Sequence, residues 1–66
     1  MSARMDLTIN SDNAAFDGNA GAEVARILRA LADAIEDGGE GHFRLYDVNG
    51  NGAGSAFLEI WTEEEA

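Results

Sequence analysis

Residues 20–37 read AGAEVARILRALADAIED, and within them Val24, Ile27, Leu28, Leu31 and Ile35 fall on one stripe at helical spacing, while Arg26, Arg29, Asp33, Glu36 and Asp37 lie opposite. That period predicts an amphipathic helix over 20–37. Signals at both ends agree with it: Asn19 is a natural N-cap, Glu23 complements the positive helix start, and Gly38-Gly39 supplies a left-handed stop. Glu36 and Asp37 sit at the negative end, where the helix dipole disfavours them. A placement that costs local stability points either to a tolerant fold or to a use.

Working outward, residues 5–10 alternate apolar and polar at period two, which predicts a half-buried strand with Met5, Leu7 and Ile9 inward. A polar connection over 11–19 follows, and its one large apolar residue, Phe16, is expected beneath the helix. On the other side, 42–47 and 55–61 read as strands joined by 48–54, where two Asn-Gly dipeptides signal a hairpin because both residue types accept positive φ. Phe43, Leu45, Ala56, Leu58 and Ile60 are placed to meet the helix stripe. The chain is thus expected to be one α+β domain over 1–66, ordered β-α-β-β, with the acidic tail 62–66 flexible. The sheet is three-stranded and mainly antiparallel, with the helix packed on one face. The last strand, apolar on both faces, is expected in the middle.

Sixty-six residues bury only about 60% of the surface an unfolded chain exposes, so the core is thin. There is no cysteine for a disulfide, a thiolate metal site or a thiol nucleophile. No stretch approaches the roughly 20 apolar residues of a membrane span, and residues 1–6 lack the apolar segment of a secretory signal, so a cytoplasmic protein is expected. Thirteen Asp and Glu against four Arg give a formal charge of −9. Free nucleic acid and anionic membranes would repel such a chain, and a basic protein surface would complement it. Acidity also serves solubility alone in many proteins, and composition does not separate the two.

Three features bear on chemistry. Asp47-Val48-Asn49-Gly50-Asn51-Gly52 begins like a calcium loop, but Leu58 stands where the twelfth-position acid belongs, and the flanks read as strands; a hairpin turn is expected, with no metal bound. Gly50, Gly52 and Gly54 lead into a strand rather than a helix N-terminus, which argues against a phosphate loop. His42 is the single histidine, and no serine spacing around it suggests a nucleophile, base and orienting acid. No catalytic residue and no cofactor is expected.

Two surfaces remain as binding candidates. Asp33, Glu36, Asp37 and Glu40 form the densest acidic group outside Glu63-Glu64-Glu65, and such carboxylates either solvate a helix face or stand in for phosphates. Arg44, Tyr46, Phe57, Glu59 and Trp61 are expected on the sheet face away from the helix, where three aromatics suit a partner surface, a homodimer contact or cover by the tail. The candidate partner-binding set is therefore Asp33, Glu36, Asp37, Glu40, Tyr46, Glu59 and Trp61.

The runs 12–16 (DNAAF), 21–33 (GAEVARILRALAD) and 47–52 (DVNGNG) resemble small proteins of bacteriophages and prophages, the likeness covering residues 12–54. Several such acidic phage proteins are anti-CRISPR proteins, and the sequence is similar to those directed at type I systems, type I-C among them. The resemblance implies a stoichiometric inhibitor in the host bacterial cell. Such a protein binds a subunit of the crRNA-guided effector (Cascade) and blocks target DNA by acidic mimicry, without touching nucleic acid itself. The alternative is a phage interaction module, homodimeric through Tyr46, Phe57 and Trp61, whose acidity serves solubility.

Overall fold

The computed structural model describes residues 1–10 and 18–63, and runs β1 (Ser2–Ile9), α1 (Ala20–Glu36), β2 (Gly41–Tyr46) and β3 (Gly52–Trp61). The expected place of Phe16, and Glu64 and Glu65 of the acidic tail, lie outside the described residues. The sheet order is β1-β3-β2 and both pairings are antiparallel, so the last strand is central as its two apolar faces predict. β1 and β2 consequently run in the same direction on either side of β3, a split β-α-β unit. Among the described residues no helix is long and apolar enough to cross a membrane.

The ends of α1 follow their sequence signals. The Asn19 side chain accepts from the Ala22 N–H at 3.1 Å, satisfying one of the donors a first turn leaves free. At the other end the Gly39 N–H donates to Ala34 O and the Gly38 N–H to Ile35 O, both at 3.0 Å, with Gly38 at φ +100°. This pair of bonds is a Schellman stop, which needs a residue comfortable in the left-handed region.

The hairpin is tighter than its sequence suggests, because β3 begins at Gly52 rather than at residue 55. Gly50 N–H bonds Asp47 O at 3.0 Å, and Asp47 N–H bonds Asn51 O at 2.9 Å, which closes a three-residue loop with Gly50 at φ +84°. The register then slips by one residue, Leu45 facing Gly54 and Tyr46 facing Gly52. The extra residue, Ala53, is driven into the core at 1% exposure. Next to it, a Cβ on Gly54 would run into the Thr8 carbonyl oxygen and lie 2.9 Å from Ile9 Cα. The close approach of β1 to β3 there admits only glycine.

Ile27, Leu31, Leu45, Ala53 and Ala56 form the core, with Ile9, Ile35 and Phe43 packed against it; fully burying a side chain the size of Ile or Leu contributes roughly 1.5–3 kcal/mol. Directly paired residues share a face, so Met5, Leu7 and Ile9 do lie on the helix side with Leu58, Ala56 and Gly54. The expectation that they are buried holds only for the end of the strand. α1 lies over β2, and Met5 and Leu7 on the far strand stay 39% and 42% exposed. Ile60 at the end of β3 and Leu28 on the helix flank are exposed for the same reason: one helix is too narrow to roof three strands.

Candidate functional site

Register locates the candidate residues. On the face away from α1, Arg4 pairs with Glu59, Ser2 with Trp61, Asp6 and His42 with Phe57, and Arg44 with Ser55. Phe57 is half-buried under the His42 ring, centroids 4.9 Å apart. Tyr46 pairs with Gly52 and Trp61 ends the same strand. Nine residues of strand at about 3.3 Å each put these two exposed aromatics roughly 30 Å apart. They belong to opposite ends of the sheet, not to one patch.

The acidic residues share one end of the molecule instead, Asp33, Glu36 and Asp37 on the helix side, and Glu59, with Glu40 abreast, on the face away from α1. Gly41 pairs with Leu58, so one further step in that register sets Glu40 abreast of Glu59. The last turn of α1, with Asp33 and Glu36 and the cap residue Asp37, leads through Gly38-Gly39 into the same end. All five carboxylates are exposed, and none is in a salt bridge among the described residues. No basic residue occupies the last turn of the helix. Along the axis, Asp33 to Asp37 spans about 6 Å at 1.5 Å per residue. Three carboxylates over that rise stand about 3 Å apart on average, a looser spacing than the roughly 1.7 Å per charge of duplex DNA. Trp61 lies at this end, Glu63 follows it and accepts from the Ser2 hydroxyl, and Tyr46 is left out.

The opposite end carries a group that sequence reasoning placed only in part. Glu23 is 8% exposed, not a solvated first-turn acid. Its carboxylate takes Arg26 Nε at 2.9 Å and Nη2 at 3.0 Å, and accepts from the Val48 N–H at 2.8 Å. Arg26 bridges further to Tyr46 O at 2.9 Å, so it leaves the solvated face expected of it and ties the helix to the hairpin. The bidentate guanidinium holds the Glu23 carboxyl below its usual range, against the opposing cost of burial. Asp47, also buried, accepts from the Asn49 and Asn51 N–H groups at 2.9 Å each. Its carboxylate holds the turn together, which is the role an aspartate at the first position of such a turn ordinarily takes. Glu23 shares a line with Ile27 and Leu31 at four-residue steps, the one signal that could have revealed its burial.

Between α1 and β2 a groove of about 260 Å³ is lined by Ile27, Ala30, Leu31, Ala34, Phe43 and Leu45, with Arg26 and Arg44 at its rim. It falls just short of the roughly 300–1,000 Å³ typical of small-molecule sites. Comparison with protein-family models, curated proteins and solved structures gives no match.

Proposed function

We propose that this chain is a stoichiometric inhibitor that seats its acidic end on a basic, nucleic-acid-binding surface of another protein. It acts by occupying that surface rather than by chemistry. The supporting observation is the grouping of Asp33, Glu36, Asp37, Glu40 and Glu59 at one end of the molecule, exposed and outside any salt bridge among the described residues. Unpaired carboxylates against a helix dipole cost the isolated domain stability, and a cationic partner recovers that cost on binding. The likeness of residues 12–54 to small phage proteins supports a type I CRISPR effector subunit as the target and the cytoplasm of a host bacterial cell as the place of action.

The test replaces Asp33, Glu36, Asp37 and Glu40 together by Asn or Gln and measures binding to a purified type I effector complex. Affinity is expected to fall by about 2 kcal/mol, roughly thirtyfold, with target DNA regaining access. Wild-type binding should also weaken steeply with added salt. A charge-depleted variant that binds undiminished, while Trp61→Ala fails, would move the function to the sheet face.

A further inference from the structure

β1 is an eight-residue edge strand bonded on one side only, to β3. Its free side presents a row of backbone donors and acceptors that no proline, bulge or lysine interrupts, and the charged pair Arg4 and Asp6 is its one protection. The β2 edge is different. It is six residues long, it borders the register slip at Leu45 and Tyr46, and its Tyr46 carbonyl is taken by Arg26.

The β1 sequence, SARMDLTI, complements itself when run antiparallel. With Met5 opposite Met5 of a second copy, Arg4 faces Asp6 and Asp6 faces Arg4, Ala3 faces Leu7, and Ser2 faces Thr8. Sliding two residues one way sets Arg4 against Arg4; sliding two the other way sets Asp6 against Asp6. Like charges directly opposite are destabilising, so charge alone selects one register. Arg4 and Asp6 are both well exposed and, among the described residues, have only each other for an ion pair, at 3.5 Å. They are also the only charged side chains on β1, which makes this edge neutral within a chain of formal charge −9. On the helix side the same register lays Met5 on Met5 and Leu7 on Ala3, adding cover to the side chains that α1 leaves 39% and 42% exposed.

We propose that the protein is a homodimer in which two β1 strands pair antiparallel about a twofold axis at Met5, joining the sheets into one of six strands. The contact is isologous, closes on itself and leaves no β1 edge free. Both helices lie on the same face of the joined sheet. Glu59 pairs with Arg4 and so borders the seam, while Asp33, Glu36, Asp37 and Glu40 lie toward β2, and this dimer does not depend on the function proposed above. Because the remainder of each protomer is acidic, added salt should strengthen the dimer, the reverse of its expected effect on a basic partner.

Sedimentation of the full chain over a concentration series tests the dimer, and two single variants test its register. Arg4→Asp and Asp6→Arg each create like-charge pairs in a homodimer, and each alone should dimerise at least about tenfold more weakly. Mixed in equal amounts they should restore the dimer, because every Asp then faces an Arg of the other chain. Circular dichroism of each variant establishes that it folds. Met5→Cys supplies an independent readout in a chain without cysteine: it should oxidise to a symmetric cross-link, whereas Thr8→Cys, whose facing residue is Ser2, should not. A wild-type chain that stays monomeric up to about 1 mM overturns the proposal, as does a dimer indifferent to both charge variants.

Discussion

At its first turn α1 carries Glu23, whose carboxylate is satisfied by Arg26 and the Val48 N–H; at its last it carries Asp33, Glu36 and Asp37, exposed and in no salt bridge among the described residues. Residues of one chemical class thus serve opposite ends of one helix differently. The difference follows from what each end meets. The N-terminal end abuts the hairpin, whose turn offers backbone donors, and the dipole there favours negative charge. The C-terminal end meets two glycines and solvent, and the dipole opposes it. The carboxylate at the first end holds the fold; those at the second take no part in a salt bridge among the described residues.

The comparison would break most visibly at Glu23. Glu23→Ala leaves the Arg26 guanidinium and the Val48 N–H without their partner and detaches the helix start from the hairpin. The melting temperature should fall by roughly 10 °C, a large shift for a domain of this size. A thermal scan showing no change would mean the network is dispensable.

Acid should separate the two ends more gently. The Arg26 guanidinium holds the Glu23 carboxyl below the ordinary carboxylate value. The folded state therefore binds the proton less readily than the unfolded chain, and the stabilisation is fully present above the unfolded value and lost as pH falls through the folded one. Stability should be flat from neutral pH to about 5 and decline below about 4.5. In Glu23→Gln the decline should be shallower. Urea midpoints of both proteins across that range check it, and unfolding already at pH 6 would contradict it.

The smallest effect is expected at the other end. Replacing Asp33, Glu36, Asp37 and Glu40 by their amides should leave stability within about 0.5 kcal/mol of wild type, or raise it slightly. A clear loss in urea melts would show that these carboxylates serve the fold after all.

Much of this architecture was legible in the sequence. The stripe from Val24 to Ile35, the Asn19 cap and the Gly38-Gly39 stop delimit α1, and the doubly apolar last strand takes the central place. What failed to show has physical causes. Alternation at Met5 and Leu7 tells which face they share, but not how far one helix reaches across that face. Gly52-Ala53-Gly54 reads as loop because glycine is a poor strand former, yet a bulge turns it into the start of β3. Helical period sets Glu23 beside the apolar line but cannot foresee a loop N–H waiting 25 residues away. At the candidate site the acidic residues were visible one by one. The placing of Glu59 at the same end, and the separation of Tyr46 from Trp61, depend on a register that composition does not encode.

The central position of β3 also governs the order in which the molecule can come into being. Both neighbours of the middle strand precede it in the chain, and neither touches the other. Ser2 must wait for Trp61, its partner across the ladder, to be made. While the chain is emerging from a ribosome, β1 and β2 have nothing in this sheet to bond to. The helix can form early, but the sheet assembles in a single event that waits for β3 to be made, when the longest loops close at once. A nascent chain stalled before residue 52 would hold a helix and two orphan strands.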